Sequence, residues 1–353
     1  MGRKPVKQAG CREFSVSAAT PHEDFRNHIR RQLIQRTLLA VGWPNRITVK
    51  KARLRRATAS EQPPGRMWLA FRDLPTASMS SETVNPDHLA AAVNAAYTSL
   101  KYKPPIGQYT ILAGFILVSP QGLQVISLAT GSKCLPASRL SRRGESVNDS
   151  HAEILARRGA LLWFFDEVHR MRNRAPGEPE PWLEKHPAGK YQLRDMVHIH
   201  MYISTVPCTS VPFTVIMYSI HKGGDASMRF LANSQDPEMA QLKDSAPFEA
   251  QPPNMPWRGR NNYHCYGVLR TKPGRADSPA TASMSCSDKI AAWNVLGLQG
   301  ALGSLFFMPL YVDSIIIGEA PLDIRDVVLD DCRRAFWERI EDLEGNRMRI
   351  SVP

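Results

Sequence analysis

The sequence predicts an α/β domain built in three layers, helices over both faces of a sheet. Two β-rich runs, Tyr109–Val118 (YTILAGFILV) and Leu123–Ala129 (LQVISLA), flank Pro120-Gln121-Gly122 and read as a hairpin. A long apolar helix follows from His151, after which strands and helices alternate, the order that packs helices against a sheet. With 353 residues, 43% of them hydrophobic and 22% charged, the chain has ample material for a buried core.

Residues 1–75 read as a basic, poorly ordered N-terminal extension. Residues 1–60 hold 14 Lys and Arg against 3 acidic residues, and the rest of the chain holds 31 against 30. The net charge of +12 therefore belongs to this arm, and an RNA-binding surface on the remaining body must be a local patch. Within the arm, Phe25–Val41 has the pattern of a basic amphipathic helix and Lys50–Arg56 (KKARLRR) is a cationic run. These fit an RNA-binding arm, a nuclear address or a mitochondrial presequence as readily as a simple polar tail. The sequence shows no bilayer-length apolar run and no secretory signal, and its six cysteines are too scattered for a disulfide scaffold. The expected location is the nucleus or cytoplasm, with mitochondrial targeting by the arm as the alternative.

The body, residues 76–353, divides as follows. Asn85-Pro86 starts a helix through Leu100, with Leu89, Val93, Ala96 and Leu100 on one face. The hairpin leads into the loop Thr130–Cys134, and Ser150 is placed to cap a helix from His151 to about His169. Arg172–Lys190, rich in Pro and Gly, reads as a connecting loop. Val197–Val206 alternates as a strand that ends at Pro207-Cys208, and residues 232–264 read as a long surface loop. Ile290–Phe307 is expected to be helical, Leu310–Gly318 a strand and Pro321–Leu343 a final helix.

Chemistry concentrates at Asn148–Arg158 (NDSHAEILARR). A His and a Glu two residues apart open the long helix, and two cysteines, Cys208 and Cys286, follow in Pro207-Cys208 and Ser285-Cys286-Ser287-Asp288-Lys289. One imidazole and two thiolates leave the fourth position of a tetrahedral zinc to water, and a nearby carboxylate that does not ligate can move that water's proton. This set is the one used by zinc-dependent nucleobase deaminases. His198 and His200 alternate along a strand and read as structural. Cys134, Cys265 and Cys332 read as ordinary cysteines, and Trp163 as core.

Thr130–Cys134, Asn148–Arg158, His200–Cys208 with Asp225-Ala226-Ser227, Arg270-Thr271-Lys272 and Ser283–Gly300 (SMSCSDKIAAWNVLGLQG) resemble the RNA adenosine deaminase family. That family takes in the tRNA adenosine deaminase acting beside the anticodon of alanine tRNA and the editing enzymes of double-stranded RNA. The similarity runs over roughly residues 76–343 in consistent order. It implies a cytidine-deaminase-like core and hydrolytic conversion of adenosine to inosine, with His151, Cys208 and Cys286 holding zinc and Glu153 shuttling protons. It also implies buried inositol hexakisphosphate, for which Asn148, Arg157, Arg158, Lys289, Trp293 and Gln299 match the pocket. Asp149 and Lys272 match a relay from that pocket to the zinc, and Ser132 and Lys133 match a contact to substrate phosphate.

Three features depart from the family pattern. Fifteen residues, Thr209–Gly223, separate Cys208 from Gly224-Asp225-Ala226, either as a loop of this chain or as a translated intron. Ala292 stands where the family has an arginine of the polyphosphate pocket. The chain is read as truncated at its C-terminal side, where the family supplies further pocket residues. The segment Pro273–Ala282, between Lys272 and Ser283, has only ten residues, which suits an adenosine already unpaired. The expected partner is therefore tRNA, without DNA or membrane. A duplex-RNA deaminase and a catalytically inactive RNA-binding homologue are the alternatives.

Overall fold

Leu112–Ser119 (β2) and Gly122–Thr130 (β3) form the predicted hairpin, and every residue of both strands is buried. Burial on both faces explains why these strands read as continuous apolar runs instead of alternating. In this computed structural model the described residues are 67–70, 85–102, 110–205, 225–233, 256–272, 278–318, 325–340 and 349–351. Met67–Ala70 (β1) pairs antiparallel with β3, so the sheet takes a strand from the stretch assigned to the extension. His198–Ile203 (β8) pairs antiparallel with β2. Ser314–Ile317 (β11) lies parallel to β8, and Arg349–Ser351 (β12) parallel to β11. The sheet order is β1-β3-β2-β8-β11-β12.

Two helical layers cover the sheet. Helix α1, Pro86–Ser99, begins as predicted: the Asp87 amide donates to the Asn85 side chain at 2.9 Å. Its Leu89, Val93 and Ala96 pack on Leu112, Ile116, Val118, Leu123, Val125 and Leu128. The opposite face of the same strands, Ala113, Phe115, Leu117 and Ile126, meets the long helix α2, Ala152–Arg172, through Leu155, Ala156, Ala160 and Phe164. The three-layer expectation holds because each strand splits its side chains between two apolar covers.

Several boundaries differ from the sequence reading. His151 itself, not Ser150, occupies the cap position of α2, and it makes no side-chain cap hydrogen bond. Ser150 instead belongs to strand β5, Asp149–His151, which pairs antiparallel with β4, Ser132–Cys134. The supposed loop Arg172–Lys190 contains β6, Leu183–Lys185, paired with β7, Tyr191–Leu193. Part of the supposed loop 232–264 is Trp257–Arg258 (β9), parallel to Arg270–Thr271 (β10), and part extends helix α3, Met228–Asn233, which follows a 3-10 turn at Asp225–Ser227.

The expected helix Ile290–Phe307 is two pieces. Helix α4, Cys286–Leu296, stops where Gly297 takes a φ of 80°, which the α-helix forbids, and the short α5, Gly300–Gly303, follows. Helix α6, Arg325–Phe336, replaces the middle of Pro321–Leu343 and packs against α4 and the 3-10 turn at 225–227. The segment Thr209–Gly223, like Cys208, lies outside the described residues. Among the described residues no helix is long and apolar enough to cross a membrane.

Candidate active site

Strand pairing builds the site's first wall. The β4–β5 register sets Ser132 opposite His151, Lys133 opposite Ser150 and Cys134 opposite Asp149. Asp149, Ser150 and His151 are buried, while Lys133 is exposed, as a contact to a substrate phosphate requires. The Asp149 carboxylate lies 2.6 Å from His151 Nδ1 and 3.1 Å from the His151 amide, both on the same oxygen. An ionised carboxylate accepts only, so Nδ1 carries the proton and Nε2 the lone pair, the tautomer that ligates metal.

The other Asp149 oxygen accepts from Lys272 Nζ at 2.7 Å, from Ser283 Oγ at 2.8 Å and from Lys289 Nζ. Burial opposes ionisation of this carboxyl. Lys272, the His151 hydrogen bond and Lys289 outweigh it and hold Asp149 well below the usual carboxylate range. Lys272, fully buried, also donates to Cys286 Sγ at 2.9 Å. A continuous path therefore joins the two described ligand candidates: His151 to Asp149, Asp149 to Lys272, Lys272 to Cys286.

Cys286 is the first residue of α4, where unpaired helix amides favour negative charge, and the Lys272 ammonium adds to that preference for a thiolate. Ser285 caps the helix: its Oγ accepts from the Asp288 amide at 3.1 Å and donates to Asp288 Oδ2 at 2.7 Å. Ser285 and Asp288 were not singled out from the sequence, although Ser-x-x-Asp ahead of an apolar run is a legible capping signal. Ser283 and Arg270 carried no such signal. Their roles arise from contacts between segments distant in the chain.

Glu153 stands in the first turn of α2 with no exposure. Neither of its carboxylate oxygens has a hydrogen-bond partner among the described residues. A buried carboxylate left so is costly, and a polar, proton-bearing group beside it removes the cost. Together with an imidazole oriented through Nδ1 and a sulfur beside an ammonium, this donor chemistry fits zinc holding a water molecule. Among the described residues no group of three or more His, Cys, Asp or Glu closes on one point. The third expected ligand, Cys208, lies outside them.

The residues matched to a polyphosphate pocket separate into two sets. Arg157 is packed 5.3 Å from the Trp293 ring, its Nε has no hydrogen-bond partner among the described residues, and burial with the neighbouring Arg158 lowers its pKa to about 10. Gly300, at φ 63°, leaves it room, since a Cβ there would stand 2.8 Å from Arg157 Nη2. Lys289 is turned instead to Asp149 and Ser283. The Gln299 carboxamide accepts from the Leu310 amide and donates to the Leu296 carbonyl, so it holds the α4–β11 connection. Asn148 is exposed, and its carbonyl accepts from the Leu135 amide at 2.7 Å.

The remaining expectations are structural ones. His200 Nδ1 lies 2.7 Å from Ser314 Oγ and His198 Nδ1 3.2 Å from Asp313, both binding β8 to the approach of β11. Cys332 is fully buried, and burial pushes its thiol up strongly. Trp163 is a core residue.

Comparison with known proteins follows this geometry. A family model described as "Adenosine-deaminase (editase) domain" matches residues 127–350. The chain is 31% identical over 287 residues to "tRNA-specific adenosine deaminase 1" of Saccharomyces cerevisiae, covering 76% of this chain and 66% of that protein. It is 33% identical over 242 residues to the Drosophila melanogaster protein of the same name, covering 68% and 55%. It is also 30% identical over 251 residues to "Double-stranded RNA-specific editase B2" of Mus musculus, covering 68% and 32%. The chain thus spans between a third and two thirds of the length of these relatives.

Proposed function

Because the chain belongs to the adenosine-deaminase (editase) domain family, we propose that it converts adenosine to inosine in tRNA by hydrolysis. The observation that carries this reading is Glu153, a buried carboxylate without a partner among the described residues, set two residues from His151. The reaction consumes one water and releases one ammonia: the water oxygen bonds to C6 of adenine as the C6–N6 bond breaks. His151 and Cys286, with Cys208, would hold zinc, which supplies the Lewis acidity that brings a water's pKa toward neutrality.

This chain's own residues do the rest. Glu153 takes one proton from the attacking water and gives it to the ring nitrogen, then takes the second from the hydroxyl added at C6 and gives it to the departing amine, which leaves as ammonia. Its burial keeps bulk water from competing for those protons. Asp149 keeps His151 in one tautomer, and Lys272 keeps negative charge on Cys286 from spreading to a proton. Lys133, exposed on β4, is aimed to meet a phosphate of the RNA. Arg157 and Arg158 beside Trp293 would hold inositol hexakisphosphate, whereas Lys289 and Gln299 are already engaged.

The choice of tRNA rests on the short segment Pro273–Ala282. Its base is pinned by the Lys272 amide to the Ser283 carbonyl at 2.8 Å and by Thr281 Oγ1 to the Lys272 carbonyl at 2.7 Å. A short loop closed so tightly has little length with which to fill a duplex gap left by a flipped base, and an anticodon-loop adenosine leaves no such gap. The test is inosine formation in total tRNA by the purified chain, with Glu153→Ala as control and zinc measured on both. Inosine made by the parent alone supports the reading. Inosine in duplex RNA but not in tRNA would replace the substrate, and zinc-loaded parent protein inert on both would refute the activity.

A further inference from the structure

We propose that Tyr266 and Arg229 form a platform for an unpaired RNA nucleotide beside the active site, the base stacking on the tyrosine ring and its phosphate meeting the guanidinium. The proposal rests on the reading of the chain as an RNA deaminase and goes beyond it by assigning residues outside the catalytic set.

Tyr266 is 38% exposed. Two guanidiniums approach it, that of Arg334 at 4.9 Å from the ring centroid and that of Arg229 at 6.0 Å. Both arginines reach one carboxylate, Asp331, which is fully buried. Arg334 Nη2 lies 3.0 Å from its Oδ1, a hydrogen bond, while Arg229 Nε lies at 3.8 Å, beyond one. Arg334 is buried and committed; Arg229 keeps 39% of its side chain in solvent.

The ring is held out deliberately. Arg270, with no exposure at all, spends its guanidinium on four backbone carbonyls of the loop that carries Tyr266: Gly259 at 3.0 Å, Asn261 at 2.8 Å, Asn262 at 3.0 Å and Cys265 at 2.7 Å. The last of these is the residue directly before Tyr266. Four hydrogen bonds from its two terminal nitrogens offset much of the cost of burying the guanidinium, and they tie the loop down at four points. An aromatic ring presented rigidly at a surface loses little entropy when something stacks on it.

The segments that carry Arg229 and Arg270 also reach the helix that begins at Cys286. Arg229 lies three residues from Ala226, whose amide donates to Ser287 Oγ at 3.3 Å, next to Cys286. Arg270 lies two residues before Lys272, which contacts Cys286 Sγ, and its own amide donates to Asp288 in the same helix. An exposed ring with a cation beside it is what single-stranded nucleic acid recognition uses: the base supplies a π-face and the backbone a negative charge. Packing alone accounts for Arg334 and Asp331 but requires neither an exposed Tyr266 nor Arg229.

The test measures binding of a labelled anticodon stem-loop RNA to the full chain carrying Glu153→Ala, which prevents turnover. Tyr266→Leu and Arg229→Gln are each expected to weaken binding about tenfold, and Tyr266→Phe to bind like the parent. In the active background the same variants raise KM with kcat little changed. Zinc content and melting temperature report whether Tyr266→Leu has folded; if it has not, Arg229→Gln, at an exposed side chain, decides. A parent that binds and deaminates RNA while Tyr266→Leu, or the deciding Arg229→Gln, binds equally well overturns the platform and leaves the deaminase standing. A parent that neither binds nor deaminates RNA overturns both.

Discussion

Glu153 and Asp149 are both buried carboxylates, and their surroundings give them opposite tasks. Asp149 accepts from Lys272, Ser283 and His151 and is held ionised, whereas Glu153 meets no donor among the described residues, as the proposed proton carrier requires. Replacing Glu153 by Gln is expected to lower kcat about 10²- to 10⁴-fold. Without the buried charge, the zinc-free variant should melt no lower than the zinc-free parent. A lower melting point would show that the carboxylate has a structural partner. Asp149→Asn has the reverse signature, removing the buried carboxylate that Lys272 and Lys289 share, at a cost of about 3–5 kcal/mol. Because the folded pKa of Asp149 is depressed, its contribution is fully present above the unfolded carboxylate value and disappears as pH falls through the folded one. Urea melts of the zinc-free chain from neutral pH downward should therefore lose stability on the acid side in the parent. Asp149→Asn should be less stable at neutral pH and flatter in that range.

At the scale of elements, helix α4 depends on its first turn. Ser285→Ala removes the acceptor for the Asp288 amide, with an expected cost of about 1 kcal/mol. It also releases Asp288 Oδ2 from the Ser285 hydroxyl, while the hydrogen bond from the Arg270 amide stays. Denaturant unfolding should record the loss of stability, and zinc affinity should fall with it since Cys286 begins this helix; unchanged zinc affinity would show that the cap does not position the sulfur. The capping pair was readable in Ser285-Cys286-Ser287-Asp288, as was Asn85 before Pro86. The cap of α2 was not readable in the same way. Ser150 has the right chemistry, but pairing of β5 with β4 draws it into a strand and moves the helix start to Ala152. Strands β6 and β7 were hidden for a similar reason: three-residue strands among prolines and glycines show no period, and β7 is held by its contact with Phe307 as well as by its partner.

Across the whole molecule, the sheet's two apolar covers are built from side chains other than the candidate ligands, while the candidate site joins segments far apart in sequence. Chelation of zinc is expected to lower the melting temperature by several degrees without abolishing the far-UV signal of the folded sheet. Cys286→Ser should remove most of that chelator sensitivity; an equal drop in both proteins would mean that zinc binds elsewhere. Local sequence was sufficient for the hairpin, the face of α1 and the class of fold, since periodicity and capping chemistry are properties of short stretches. The segment Cys208–Gly223 lies beyond the described residues and keeps the standing it had as sequence. Only the folded chain decided that Asp149 is the hub between His151 and Lys272, that Lys289 and Gln299 serve the protein itself, and that buried Arg270 holds out Tyr266 beside Arg229. Those assignments depend on which side chains, up to 140 positions apart, come within hydrogen-bond reach, and that distance is set by packing of the layers, not by any run of neighbouring residues.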